Sequence, residues 1–182
     1  MLIVSSIYCI GDRMNKPKYV GKILIVNKDI ALPKTYNPGL SRKLLLAYLC
    51  MKICALKDGV KLNIISGFRS YCYQEKIYNQ YIKEFGVEKT NTFSAKPGHS
   101  EHQTGLAIDI CEDSDKFINT KEDKWLQKNA YKFGFIIRYP KGKEQITGYK
   151  YEPWHLRYVG KKHAKKIYEK QLTLEEYLGL YT

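Results

Sequence analysis

One carboxylate lies where burial makes a carboxylate most costly. Residues 106–111 read LAIDIC, an apolar run of strand length with Asp109 inside it. Leu106, Ala107, Ile108 and Ile110 are side chains for a sheet interior, and an unpartnered carboxylate among them costs several kcal/mol. Any fold of this chain must therefore bring a metal ion or a cationic side chain to Asp109. The preceding text, SEHQTG, puts His102 seven residues before Asp109 with Gly105 between them. A turn at Gly105 can set a loop-borne imidazole beside the strand-borne carboxylate, giving two ligands from one hairpin-like segment.

A second segment, YEPWH at 151–155, carries Glu152 and His155 three apart. In a regular strand, residues at that spacing point to opposite faces. Pro153 forces Glu152 into extended conformation and removes a ladder hydrogen bond, so a kink or bulge can turn both side chains toward one cavity. Two imidazoles and a carboxylate would then form a zinc site with an open position for water. Glu152 would be left over as a general base. Each residue also has a plainer reading. Asp109 could pair with an arginine, and His155 could be a packed side chain beside Trp154. His99, three before His102, could compete as a ligand, although Pro97 and Gly98 indicate a loop. His163, in KKHAKK, reads as a solvated helix residue.

The surrounding chain of 182 residues suits one domain. ILIVNKDI reads as a short strand leading into a Pro-rich connection. Residues 41–57 have helical spacing, 61–66 a strand, and 75–85 a helix ending at Gly86; 90–100 reads as an irregular loop. Thr120 can cap a helix running through Phe133 to Gly134. FIIRYP and GYKYEPWHLRYVG read as the last strands, 161–170 as a basic helix, and Thr173 with Glu176 as a capping box opening a terminal helix. Interleaved strands and helices predict an α+β fold, a single domain with a small, largely antiparallel sheet flanked by helices. The domain is expected over residues 24–182, after an N-terminal extension at 1–23.

Lys and Arg number 31 against 18 Asp and Glu, a net charge of +13, which implies an acidic partner: nucleic acid, an anionic envelope polymer or a membrane surface. No recognition helix or aromatic-basic RNA motif supports the first, so no nucleic acid is expected. The five cysteines are an odd number with no CxxC pair, which argues against a disulfide framework or a cysteine-based zinc site. Cys50 and Cys54 read as small buried hydrophobes on a helix. The run at 2–10, LIVSSIYCI, lacks the basic start and small-residue cleavage site of a secretory signal. It reads as a strand or as the tail of an anchor.

Three motifs in this order, SGFRS with Gln74, SEHQTGLAID and EPWH, resemble the zinc D-alanyl-D-alanine carboxypeptidases of bacterial cell walls. The likeness is to the vancomycin-resistance type, in the lysostaphin/D-Ala-D-Ala/hedgehog fold group, and extends over roughly residues 24–180. It implies zinc on His102, Asp109 and His155, Glu152 as catalytic base, Arg69 facing the active site, and Ser100 and Gln74 contacting substrate. It further implies hydrolysis of the terminal D-Ala of peptidoglycan stem peptides or precursors, with a link to glycopeptide resistance. D,D-dipeptidase, bifunctional dipeptidase/carboxypeptidase and L,D-carboxypeptidase activities are alternatives. A non-enzymatic wall-binding module is another, though the presence of Glu152 with all three ligands argues against it. A monomer on the extracytoplasmic side of the cell envelope is expected, with anionic wall polymers as further partners; a cytoplasmic location is the alternative.

Overall fold

Four α-helix starts, at Ser41, Ser70, Thr120 and Thr173, are set by hydroxyl side chains that satisfy a free N–H group of the first turn. The computed structural model describes residues 16–181, so the apolar run at 2–10 lies outside the described residues. Ser41 accepts from the Leu44 N–H and starts α1 (Arg42–Lys57). Ser70 accepts from the Tyr73 N–H and starts α2 (Tyr71–Phe85), four residues before the helix expected at 75. Ahead of α1, β1 (Tyr19–Val20) and β2 (Ile23–Leu24) form a two-stranded hairpin. This hairpin spans the 23/24 division read from sequence, and Ile23 packs with Ile25, Ile136, Ala164, Ile167 and Leu174.

The main sheet contains β3 (Ile64–Ser66), β4 (Ala107–Ile110), β5 (Phe135–Tyr139) and β6 (Glu152–Tyr158), in the order β3-β4-β6-β5 with every pairing antiparallel. This is the expected α+β arrangement with a small antiparallel sheet. Successive side chains of a strand alternate between faces. Ile108 and Ile110 enter one core with Leu44, Tyr48, Met51 and Ala55 of α1 and with Leu156 of β6. Asp109, between the two isoleucines, points to the opposite side.

Several boundaries differ from those read locally. The strand expected over 61–66 is confined to Ile64–Ser66. Part of the expected loop at 90–100 is helical: α3 (Val87–Phe93) follows Gly86 directly. It is held by Phe93 against Tyr81 and Phe85 of α2, at ring-centroid distances of 5.3 and 5.7 Å. The helix expected from Thr120 to Phe133 tightens into a 3-10 turn at Ala130–Phe133, after α4 (Lys121–Asn129). A short helix, α5 (Glu144–Thr147), precedes β6, which begins only at Glu152. The chain ends with α6 (Lys161–Lys170) and α7 (Leu174–Tyr177), the latter opened by the expected Thr173–Glu176 capping box.

Three side chains lie in surroundings other than those expected. Cys50 and Cys54 are exposed, because the buried stripe of α1 is filled by Leu44, Tyr48, Met51 and Ala55. His163 is half-buried between α6 and α7, its Nδ1 2.8 Å from the Tyr177 hydroxyl, so it is a packed residue rather than a solvated one.

Candidate metal centre and active site

The antiparallel register of β4 and β6 pairs Asp109 with His155. His102 reaches them from a 3-10 turn at Glu101–Thr104, which Gly105 closes in the left-handed region at φ 69°. A Cβ at residue 105 would lie 2.0 Å from the Gly39 carbonyl oxygen, so only glycine permits this approach. His102 Nε2 is 3.1 Å from one Asp109 oxygen, and His155 Nδ1 is 2.9 Å from the other. One ligand atom from each of the three residues lies within 4.8 Å of the others, and all three residues are buried.

The outward nitrogens determine which atoms are free to bind a metal. His102 Nδ1 lies 2.6 Å from the Gly67 carbonyl oxygen, to which it can only donate, so Nε2 keeps its lone pair toward Asp109. His155 Nε2 lies 3.6 Å from Glu101 Oε2, and neither buried atom has a hydrogen-bond partner among the described residues. If Nδ1 gives up its proton to make room for a metal ion, the proton remaining on Nε2 is directed at that carboxylate and the Nδ1 lone pair is free on the Asp109 side. Two neutral imidazoles and a carboxylate, each imidazole with an outward acceptor, fit a zinc ion.

Glu101 is itself anchored. Its other oxygen accepts from Arg138 Nε at 2.9 Å and Arg157 Nη1 at 2.7 Å, and Arg138 also donates to Glu175 of α7. Burial alone would raise the Glu101 carboxyl, but Arg138 and Arg157 outweigh it and hold the group well below the usual carboxylate range. For Asp109, burial is likewise outweighed, here by His102 and His155. Burial pulls His155 down, yet Asp109 and Glu101 more than reverse this and raise it to about 9. Sequence reasoning missed Glu101, Arg138 and Arg157. The signal was the one that exposed Asp109: charged residues inside apolar strands, Arg138 in FIIRYP and Arg157 in WHLRYV.

Glu152 reaches the same cleft through an irregularity at Pro153. Between the pairs Ile137↔Leu156 and Tyr139↔Glu152, β5 advances two residues while β6 advances four. Glu152 and His155 therefore line one cleft of about 230 Å³, together with Arg69, Gln74, Ser100, His102 and Asp109. Burial raises the Glu152 carboxyl, His155 opposes and Asp109 adds to this, and the group stands at about 7. The Arg69 guanidinium donates to the Gln74 carbonyl at 2.9 Å and to the Ser66 hydroxyl at 3.2 Å. The Gln74 amide nitrogen donates to the Ala95 carbonyl at 2.7 Å, so this buried glutamine braces Arg69 against the α3–turn connection. His99 is not part of the cluster; its Nδ1 lies 2.9 Å from the Asn27 carbonyl oxygen. A larger hollow of about 440 Å³, lined by Tyr131, Ile136 and Tyr168 among others, has no carboxylate or imidazole in its lining.

A family model for VanY, D-alanyl-D-alanine carboxypeptidase, matches residues 37–161. The chain belongs to the VanY family. It is 45% identical over 180 residues to YodJ of Bacillus subtilis (strain 168), covering 85% of this chain and 66% of that protein. It is 36% identical over 175 residues to the D-alanyl-D-alanine carboxypeptidase of Enterococcus faecalis (strain ATCC 700802 / V583), covering 86% of this chain and 65% of that one. The chain thus spans just under two thirds of the length of these curated relatives. Among solved structures it superposes on the LD-carboxypeptidase LdcB with a TM-score of 0.81 at 41% identity, covering 92% of this chain and 95% of that one. The vancomycin-resistance D,D-pentapeptidase VanY, solved in complex with Zn(II), gives a TM-score of 0.73 at 37% identity, over 85% and 97% of the two chains. Membership of the VanY family accords with the resemblance carried by the three sequence motifs.

Proposed function

We propose that this chain is a zinc-dependent D-alanyl-D-alanine carboxypeptidase that removes the terminal D-Ala of peptidoglycan stem peptides or their precursors. The observation that carries the reading is the convergence of His102, Asp109 and His155 in one cleft with a fourth group, Glu152, left free beside them. His102 Nε2, Asp109 and His155 Nδ1 would hold the ion. Zinc bound there would polarise the scissile carbonyl and acidify a water.

The residues of the chain supply the remaining chemistry. The Glu152 carboxylate takes the proton of the attacking water and returns it to the departing D-Ala amine. A carboxyl near 7 is poised for both transfers. Arg69, planar and permanently charged, stabilises the negative charge that develops on the carbonyl oxygen, and Gln74 fixes its orientation. Ser100, buried at the cleft wall, is assigned to substrate contact. The enzyme acts as a monomer on the extracytoplasmic side of the envelope.

A second reading is L,D-carboxypeptidase action on a tetrapeptide. It is favoured by the similarity to LdcB over 95% of that chain. Zinc-loaded protein incubated with UDP-muramyl pentapeptide, the tetrapeptide or free D-Ala-D-Ala, with products weighed by mass spectrometry, separates the readings. D-Ala from the pentapeptide supports the first, from the tetrapeptide the second, and from the dipeptide a D,D-dipeptidase. Release from none of the three by zinc-bound protein overturns the peptidase assignment.

A further inference from the structure

Among the described residues, the face of α1 opposite its buried stripe has no partner. Leu46, Leu49, Ile53 and Leu56 follow one another at spacings of three, four and three, so they share one side of the helix. They are 65%, 50%, 57% and 48% exposed, and Cys50 and Cys54 are exposed beside them. Four large aliphatic side chains in one continuous stripe exceed the scattered apolar residues that a soluble surface ordinarily shows. The charges that α1 itself carries have a single sign: it contains Arg42, Lys43, Lys52 and Lys57 and no acidic residue. The nearest carboxylate in sequence, Asp58, is engaged by the Trp125 indole N–H at 2.7 Å.

An apolar helix face whose own charged residues are all cations suits an anionic lipid surface, where aliphatic side chains enter the headgroup boundary and lysines meet phosphates. A second copy of the chain is a poorer fit, because pairing α1 with itself brings lysine toward lysine with no carboxylate to compensate. The fold adds a directional argument. Ile108 and Ile110 of β4 face α1, whereas Asp109 and His155 face the other side of the sheet. A lipid surface under α1 would leave the metal centre and its cleft on the far side, open to polymer.

We propose that the outer face of α1 docks this protein on anionic membrane, with Leu46, Leu49, Ile53 and Leu56 entering the interface and the active-site cleft directed away from it. This goes beyond the catalytic assignment and does not depend on it.

Cys50 and Cys54 are built-in reporters on the docking face, and Cys72, exposed on α2, is an internal control. The full chain is mixed with vesicles of phosphatidylglycerol and phosphatidylcholine, or of phosphatidylcholine alone, and pulsed with a thiol alkylator; modification at each cysteine is read by peptide mass spectrometry. Anionic vesicles should slow alkylation of Cys50 and Cys54 at least fivefold and leave Cys72 unchanged, and neutral vesicles should have little effect. The double substitution Leu49→Ser with Ile53→Ser should weaken co-sedimentation with anionic vesicles at least tenfold while hydrolysis of a small soluble substrate stays at the wild-type rate. Unchanged sedimentation of that variant overturns the proposal. So does protection of Cys50 and Cys54 without vesicles, whether it grows with protein concentration, which signals a second copy, or is independent of it, which signals cover from elsewhere in the chain.

Discussion

Burial raises the Glu152 carboxyl from 4.5 to about 7, and that shift acts on stability as well as on catalysis. Between those two values the folded protein binds a proton that the unfolded chain does not. The stabilisation is therefore complete below the unfolded value and lost as pH rises through 7, leaving a deficit on the order of 3 kcal/mol in the metal-free protein. Glu152→Gln removes the ionisation. It should raise the melting temperature of metal-free protein at pH 8 and change it little at pH 4, while lowering zinc-supported hydrolysis by about 100-fold or more. Equal melting shifts at the two pH values would show that burial of the charge is not the cause. At Glu101 the expectation concerns metal affinity. Glu101→Gln should weaken zinc binding by about 10–100-fold, because His155 loses the carboxylate that orients its ring. Glu175→Gln disturbs the same buried arginine, Arg138, without touching His155, so it should lower stability and leave zinc affinity within about threefold. Competition against a chelating dye measures both, and equal losses in the two variants would refute an orienting role for Glu101.

At the scale of elements, the site depends on two irregularities that interrupt regular structure. One is the Gly105 turn, which sets the 3-10 turn carrying His102 against the start of β4. Gly105→Ala would require a left-handed alanine and a Cβ 2.0 Å from a backbone carbonyl. It should destabilise the fold by at least ~2 kcal/mol and reduce zinc stoichiometry in the protein that remains folded, as thermal melts and metal analysis would show. The other is the bulge at Pro153, without which Glu152 and His155 would point to opposite faces. Both were legible in sequence, because glycine and proline change backbone geometry through their own covalent structure. The helix at Val87–Phe93 was not legible, since a short polar segment is held there by aromatic packing on α2 rather than by any pattern of its own. The exposure of Cys50 and Cys54 was hidden for a related reason. The helical spacing of α1 is nearly apolar all round, and which stripe is buried depends on where the sheet lies.

At the scale of the whole molecule, the charge of +13 is distributed over separate faces. Lys161, Lys162, Lys165 and Lys166 are exposed on α6, just after the last candidate metal ligand in sequence. Replacing all four by glutamine should weaken binding to isolated cell walls, most clearly at low salt, and leave hydrolysis of a soluble substrate unchanged. Wall binding that survives the replacement would move the polymer contact elsewhere. By itself the sequence singled out the candidate ligands and Glu152, the two backbone irregularities and the α+β class, because these follow from the burial cost of a charge and the stereochemistry of single residues. Tertiary structure alone decided the rest: that Asp109 meets both imidazoles, that Glu101 stands behind His155 on two buried arginines, and that the outer face of α1 lies across the sheet from the cleft. Those relations join residues distant in the chain, and only strand register and core packing bring them together.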